Sequence, residues 1–498
     1  MSVFKNGMKQ YLDETGEFIR QLYLRDDIPW VIGYSGGKDS TAVLQLIWYS
    51  LMRLPHEQRT KKVFTITTDT MVENPVVTAW VSRSVEKINE MAAKAKLPIV
   101  GCELKPEIEN TFWVNLIGRG YPSPRQGFRW CTDRLKIKPS TKFIMDKIQH
   151  YGEVILLLGT RKAESSTRKR SMEKYKEMSN HELFSVNGDL KNSYIWTPIE
   201  DWDTPDVWEF LMSMPNPWGW DNKQLMSMYR GATEDNECPL VVDRSTQSCG
   251  DSRFGCWVCT MVSQDKSMEA MINNDSEKEW MAPLLEVRDA LDNQDDDHLR
   301  DYKRGDGTLH IFNGESTRGP YHQNARSMWL RMVLEAQKEI QENAPDHLSD
   351  IEIITIDELR QIRLLWVKHH REIEDRLPKI YKEVFGKDIR WPFLGEAGGL
   401  KAEDFQILKE MCGNNDLHYR LVRNLLGISA EHKYKRRGVY DALEKCISEN
   451  FFDNEEDAKE WILDKAKKAE VLGTGFEGDM LDKKSKINSL RDIADSVS

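Results

Sequence analysis

The stretch Trp30-Val31-Ile32-Gly33-Tyr34, followed at once by Ser35-Gly36-Gly37-Lys38-Asp39-Ser40, constrains this chain more than any other. Apolar residues bounded by a Gly-rich turn read as a strand buried on both faces. Residues from Ser40 to Met52 read as the helix that follows. A loop between such a strand and such a helix is where nucleotide phosphates bind. Gly36 and Gly37 allow a sharp turn and bring backbone N–H groups close to an anion. The helix adds its positive end, Lys38 can neutralise phosphate charge, and Ser35 and Ser40 are short donors. The Walker spacing GxxxxGK[ST] is not present, so an ordinary P-loop NTPase is not expected. The plainer alternative is a Gly-rich turn that only reverses the chain. The complete strand–loop–helix context weighs against it.

The first 210 or so residues continue to alternate short apolar runs with helical patterns, which predicts an α/β fold with a parallel sheet and helices on both faces. Expected strands are Val63–Thr68 ending at Asp69, Leu97–Val100, Val154–Gly159 and Tyr194–Ile199. Expected helices span Thr78–Lys96 and the turn beginning Thr204-Pro205-Asp206, with Thr204 read at the cap. From Pro215 to about Ser263 the sequence is loop-rich, and Gly305–Gly314 reads as a small hairpin or irregular insertion. Beyond Arg326 the pattern is helical and charged, with Thr355-Ile356-Asp357-Glu358 as a helix start. The expected domains are therefore 1–214, a cysteine-rich region 215–325, and a helical domain 326–498.

No apolar run approaches the length of a membrane-spanning helix, and Met1–Asn6 leads into polar sequence rather than a signal-peptide core. A cytoplasmic protein without membrane contact is the expectation. The net charge of −11 argues against a surface that is basic throughout. Locally the balance differs: Arg119 to Lys147 holds eight Lys or Arg against two Asp, and Lys433–Arg437 is a second basic cluster. Each could hold phosphates or form a solvated face.

Eight cysteines in 498 residues do not make a disulfide scaffold, but four of them fall between Cys238 and Cys259. Cys249-x6-Cys256-x2-Cys259, with Cys238 eleven residues upstream, has metal-ligand spacing. Structural zinc, a [4Fe–4S] cluster and unligated thiols are the competing readings. Cys102, Cys412 and Cys446 lack such spacing and read as small buried hydrophobes.

Taken together, these motifs bear a family resemblance. Ser35–Ser40 resembles the pyrophosphate-binding loop of the ATP pyrophosphatase and phosphoadenosine-phosphosulfate (PAPS) reductase (PP-loop) superfamily. Gly159-Thr160-Arg161-Lys162-Ala163-Glu164-Ser165 resembles its G-x-R-x-x-E-S segment, and Trp196–Ile199 with Asp201-Trp202 and Asp206-Val207-Trp208 its P-I-x-D-W…D-V-W stretch. The resemblance implies an adenine-nucleotide alpha-hydrolase-like sheet. It also implies that Ser35, Gly36, Gly37, Lys38, Asp39, Ser40, Thr67, Asp69, Gly159 and Arg161 bind ATP, with Lys38, Asp39 and Arg161 acting in catalysis. Thr68 would lie beside the nucleoside as well. Cys131, in Arg129-Trp130-Cys131-Thr132-Asp133-Arg134-Leu135-Lys136, resembles the cysteine that joins a later C-x-x-C at a [4Fe–4S] cluster in iron–sulfur members of that group. Cys131, Cys238, Cys249, Cys256 and Cys259 are then five candidates for four positions, and one of them could carry sulfur.

A sulfonucleotide reductase of this superfamily needs a mobile C-terminal cysteine, yet the 52 residues after Cys446 contain none. Together with Ser248–Thr260 and the helical extension, the chain is instead similar to the DndC/SspD-type sulfurtransferases of bacterial DNA phosphorothioation. That likeness implies ATP, Mg²⁺ and a [4Fe–4S] cluster as cofactors. The implied partners are DNA, a cysteine desulfurase as sulfur donor, and other subunits of the phosphorothioation complex. Rival readings are a sulfonucleotide reductase, a tRNA thiolase, or a non-catalytic nucleotide-binding zinc protein.

Overall fold

Strand β4 (Val154–Leu157) is buried at every position, and β1 (Trp30–Gly33) at all but its last. Apolar side chains on both faces of both strands demand cover on both faces. The computed structural model describes residues 2–125, 127–164, 166–177, 183–188, 190–231, 255–293, 295–304, 308–312, 315–372, 374–394, 402–413, 415–431 and 438–471. The chain divides into two compact units. Among the described residues, one comprises those up to Glu107 together with Pro124–Arg288, and the other comprises Ile108–Ser123 and the chain from Asp289 to Val471.

The first unit is built on a six-stranded sheet in the order β3-β2-β1-β4-β6-β5. Its further strands are β2 (Val63–Thr68), β3 (Ile99–Leu104), β5 (Ser185–Val186) and β6 (Ser193–Trp196). All pairings are parallel except the short antiparallel edge β5–β6. The helices are α1 (Met8–Leu24), α2 (Lys38–Met52), α3 (Pro75–Lys94), α4 (Lys138–Tyr151), α5 (Ser166–Glu177), α6 (Thr204–Ser213), α7 (Asn222–Gly231), α8 (Lys266–Asn274) and α9 (Ala282–Leu291). Alternation along the strands sorts the core. Trp30, Ile32, Ile155 and Leu157 pack with residues of α1, α2, α3, α6 and α7 on one face. Val31, Val154 and Leu156 pack with Ile144 of α4 on the other. The expected parallel sheet with helices on both faces is what forms.

Details differ where local chemistry overrides pattern. Helix α6 is capped one residue earlier than expected, because the Asp203 carboxylate accepts from the Asp206 amide (2.9 Å) while Asp206 returns the bond to the Asp203 amide (3.1 Å). Of the three cysteines read as buried, only Cys446 is; Cys102 and Cys412 are partly exposed.

The second unit is mainly helical. After a hairpin of β7 (His310–Phe312) and β8 (Glu315–Thr317) come α10 (Gln323–Asn343), α11 (Ile356–Leu364), α12 (Arg376–Phe385), α13 (Ala402–Met411), α14 (Asp416–Glu431), α15 (Val439–Asn450) and α16 (Glu455–Val471). Trp113 and Trp366 donate their indole N–H groups to the carbonyls of Ile353 and Ile117, each at 2.8 Å. The buried Arg326 and Glu372 form an ion pair in the same unit. Helix α11 starts on a capping box, with Thr355 Oγ1 accepting from the Glu358 amide (3.2 Å) and Glu358 Oε2 accepting from the Thr355 amide (2.9 Å). Replacing Thr355 by alanine removes the cap and is expected to lower the unfolding free energy by about 1 kcal/mol. Urea titration of the Thr355→Ala variant reads this as a lower midpoint.

Candidate active site

In a doubly wound sheet, ligands bind outside the carboxyl ends of the strands where the chain changes winding direction. Here that point lies between β1 and β4, adjacent strands whose following strands lie toward opposite edges of the sheet. The loop Ser35–Ser40 leaves β1 and the segment from Gly159 to Arg161 leaves β4, so both open into the same crevice.

The loop is tightly specified. Gly36 has φ +73, and a Cβ there would stand 2.6 Å from Val81 Cγ2, so no side chain fits. Ser40 Oγ accepts from the Ser35 amide and donates to the Gly37 carbonyl, both at 3.1 Å, which folds the loop back on the first turn of α2. Gly159 packs directly beneath: a Cβ on it would lie 2.9 Å from the Asp39 carbonyl carbon and 3.1 Å from the Ser40 amide nitrogen.

Three charges meet on this loop. Asp39 stands 2.8 Å from Arg161 Nε through one oxygen and 3.1 Å from Lys38 Nζ through the other. The Arg161 side chain is only 3% exposed, and it donates to the Trp202 carbonyl and to Thr204 Oγ1, each at 3.3 Å. A buried guanidinium must be paired, and Asp39 supplies that charge. Two cations against one carboxylate leave net positive charge at the positive end of α2, the electrostatics of an anion site. Asp39 Oδ1 and Arg161 Nε make no aligned hydrogen bond despite their proximity, so the pair is held by charge alone.

Tyr229 of α7 joins the site without a counterpart in the sequence motifs. Its hydroxyl oxygen accepts from the Lys38 amide (3.3 Å), and Lys38 Nζ lies 5.2 Å from its ring centre. Gly37 makes room for it, since a Cβ there would be 3.1 Å from that hydroxyl. Burial, with Asp39 nearby, pushes the phenol well above its ordinary value, so it stays protonated. The oxygen occupies an amide that a phosphate oxygen would use. Tyr229→Phe is therefore expected to tighten inorganic pyrophosphate binding roughly two- to ten-fold, the worth of one net hydrogen bond. Isothermal calorimetry measures it, and weaker binding would remove Tyr229 as a competitor for that amide.

Thr67 is buried at the end of β2. Asp69 follows it, accepting from the Met71 amide (2.8 Å) and pairing with Lys105 (3.1 Å). These two residues border the crevice on the β2 side, and neither Met71 nor Lys105 belongs to the phosphate loop.

The same rim carries the cysteines. Cys256 pairs with Glu73 in an isolated antiparallel bridge, and the Trp257 amide donates to the Val72 carbonyl at 2.9 Å. Its Sγ lies 3.4 Å from Thr70 Oγ1 and 3.6 Å from Glu73 Oε1. Burial, reinforced by Glu73, pushes the thiol up to about 12. Burial also raises Cys131, and the nearby Cys259 adds to the shift, so chain segments far apart in sequence deliver three thiols to one neighbourhood. Partial desolvation works against its charge, yet Lys136, half exposed and 3.3 Å from Glu73, is held above its ordinary range with Cys256 and the Glu73 carboxylate beside it. Cys238 and Cys249 lie outside the described residues. Among the described residues, no three His, Cys, Asp or Glu side chains converge closely enough to hold a metal ion.

Arg288 of α9 is a further unanticipated element: it is buried and donates to the backbone carbonyls of Cys259 (3.2 Å), Val262 and Ser263 (3.0 Å), bracing the turn that carries Cys259. No local sequence pattern marks it, or Tyr229, because each acts across a long stretch of chain.

Residues 29–218 match the phosphoadenosine phosphosulfate reductase domain, so this part of the first unit is similar to that family. An uncharacterized protein of Methanocaldococcus jannaschii is 24% identical over 201 residues, covering 40% of this chain; the match spans only about a third (35%) of that relative's length. Among solved structures, a PAPS reductase from Candida auris in complex with phosphate is 14% identical, with 42% of this chain and 88% of that chain covered and a TM-score of 0.26. The U34-tRNA thiolase NcsA from Methanococcus maripaludis with its [4Fe-4S] cluster is 12% identical, with 57% and 79% covered and a TM-score of 0.26. The TM-scores are too low for either likeness to bear on function. No helix among the described residues is long and apolar enough to cross a membrane.

Proposed function

We propose that this chain is an ATP pyrophosphatase and sulfurtransferase that activates a DNA backbone phosphate and helps exchange one non-bridging oxygen for sulfur. The observation that carries the ATP half is the Lys38–Asp39–Arg161 triad at the switch point, with its net positive charge beside the N-terminus of α2. The sulfur half rests on Cys131, Cys256 and Cys259 gathering on the same rim. DNA as acceptor rests on the resemblance to DndC/SspD-type enzymes.

In the first step, a phosphate oxygen of the acceptor attacks the α-phosphorus of ATP, and pyrophosphate leaves. The loop amides and Lys38 hold the leaving pyrophosphate and take up its developing charge, while Arg161 keeps Asp39 and the start of α2 in register. Mg²⁺ is proposed from the resemblance alone, because Asp39, the one carboxylate of the loop, is already paired with Arg161 and Lys38 and offers a metal no free oxygen. In the second step, sulfur at the sulfide level attacks the activated acceptor phosphorus, and AMP leaves with the oxygen. A cysteine desulfurase is the proposed donor, working with other subunits of a phosphorothioation complex in the cytoplasm; it delivers persulfide sulfur, which two electrons from a thiol reductant bring to the sulfide level as the carrier thiol is released. A [4Fe–4S] centre on Cys131, Cys256 and Cys259, with Cys238 or Cys249 as the remaining ligand, rests on the resemblance, since the three described thiols share a neighbourhood without converging closely enough to hold a metal ion by themselves. Such a centre would bind or activate the incoming sulfur.

The test is anaerobic purification followed by two assays. Wild type is expected to release pyrophosphate from ATP in a DNA-dependent manner and to form no sulfite from PAPS. Cys131→Ser, Cys256→Ser and Cys259→Ser are each expected to lose most of their iron. Sulfite formation without pyrophosphate release would instead establish a sulfonucleotide reductase, the reading that the matched domain also permits. Zinc in place of iron, in a protein that binds ATP without turnover, would establish a nucleotide-binding zinc protein.

A further inference from the structure

The chain is acidic overall, with a net charge of −11, yet several exposed cations on the carboxyl-end rim of its sheet have no ion-pair partner among the described residues. They are Arg129 on one side of the phosphate loop, and Lys169, Arg170 and Lys174 of α5 on the other. Ordinarily a surplus of carboxylates would find such groups. Helix α5 itself carries five Lys or Arg against Glu173 and Glu177.

Both banks are fixed to the rim. On the β2 side, Lys136 pairs with Glu73 (3.3 Å), Ser140 Oγ lies 3.3 Å from Thr68 Oγ1, and Thr260 Oγ1 donates to the Pro124 carbonyl (2.5 Å). This holds the segment from Pro124 to Ser140 above β2 and beside the cysteine turn. A tight turn closed by Arg125 and Phe128 leaves the Phe128 ring 46% exposed next to Arg129, and Ile137 is 47% exposed nearby. On the far side, Lys162 and Lys176 both reach Glu200 (3.3 and 3.2 Å), the residue that follows β6 closely, so α5 lies along the same rim above β6 and β5.

We infer that these two banks form one track for the sugar–phosphate backbone of duplex DNA, crossing the phosphate loop, with Arg129 and Phe128 at one end and Arg170 and Lys174 at the other. The inference rests on the proposal of DNA as acceptor and assigns the residues that would present it. The dimensions agree. From β2 to β6 is three inter-strand steps, about 14 Å at ~4.8 Å each, which is close to four base pairs at ~3.4 Å. A single nucleotide would not need cations so widely spaced. Arg170 and Lys174 stand one helical turn apart, on one face of α5.

Counterion release makes the track measurable. Removing one side chain that neutralises a phosphate should flatten the dependence of log K on log salt by about 0.9 for duplex DNA. Fluorescence anisotropy of a labelled duplex, at several salt concentrations, is expected to give an R170A/K174A variant a slope shallower by about 1.8, twice that value, and weaker binding at low salt. A charge-preserving R170K/K174R variant should keep the wild-type slope, and inorganic pyrophosphate binding should be the same in all three. Affinity and slope unchanged in R170A/K174A, or a wild type that does not bind the duplex, overturns the track. Slopes that shift as expected in a protein whose wild type releases no pyrophosphate would uphold the track and remove the proposed reaction, so the two ideas fail separately.

Discussion

Lys38→Ala should leave the fold intact and reduce pyrophosphate release from ATP by roughly a hundred- to a thousand-fold, the effect of removing one preorganised charge donor from a reacting centre. Lys38 is the first residue of α2, and its side chain is 17% exposed, so truncation opens no core cavity. Its ammonium faces Asp39 at 3.1 Å and the Tyr229 ring, where it can swing onto a bound phosphate without unfolding anything. Without it, Asp39 and Arg161 form a neutral pair, and the net positive charge of the triad disappears. The loss should fall mainly on kcat, because leaving-group charge develops in the transition state, with a smaller rise in KM. Steady-state kinetics with a coupled pyrophosphate assay separates the two. A variant with wild-type kcat would remove Lys38 from the reaction.

Arg161→Lys offers a different signature from the same triad. The guanidinium satisfies Asp39, the Trp202 carbonyl and Thr204 Oγ1 together, a fork that a single ammonium cannot reproduce. The position therefore ties the start of α2 to the start of α6.

The strands and the loop were legible because their signals are local. Val31, Val154 and Leu156 announce burial on a second face within four or five residues, and Gly36-Gly37 between a strand and a helix names its own turn. The start of α11 was legible for the same reason, since a capping box is written in four consecutive residues. Helix α1 was not anticipated: its buried residues Gly16, Ile19, Leu22 and Tyr23 are scattered among charges that resemble a solvated terminus. The two-residue strand β5 exists only through its pairing with Tyr194 and Ile195, which no pattern in two residues can signal. At the site, residue types at the loop were readable but their partners were not. Asp39 meets Arg161 across 122 positions of sequence (161 − 39), and Lys38 meets Tyr229 across 191. Tyr229 lies in a stretch whose Pro, Gly and Trp content reads as loop, whereas α7 forms there because Leu225 and Tyr229, one turn apart, both bury in the main core. Glu73 and Lys136 beside Cys256 were hidden likewise, because the strand-like bridge between Glu73 and Cys256 is made only in three dimensions.

Gly159→Ala is the change expected to damage the loop most, although it adds a single methyl and touches no charge. That methyl would sit 2.9 Å from the carbonyl carbon of Asp39, 3.0 Å from its oxygen and 3.1 Å from the Ser40 amide nitrogen. All three are backbone atoms, so no rotamer change can relieve the contact. Either β4 or the N-terminus of α2 must shift. The core strand β4 is buried at every residue, which makes the loop the weaker side. Overpacking of this kind costs about 1–3 kcal/mol in stability. A displaced loop would also misaim the amides that face the phosphates, and a fraction of an ångström is enough to weaken several hydrogen bonds together. The expected result is loss of detectable ATP binding by calorimetry, with a thermal midpoint lower by several degrees but a cooperative transition retained. Gly188→Ala is the matched control, since a methyl there meets Tyr175 at an ordinary 3.4 Å and should leave both measurements unchanged. If Gly159→Ala binds ATP as wild type does, the nucleotide does not depend on the geometry of this loop, and the crevice between β1 and β4 is not where it binds.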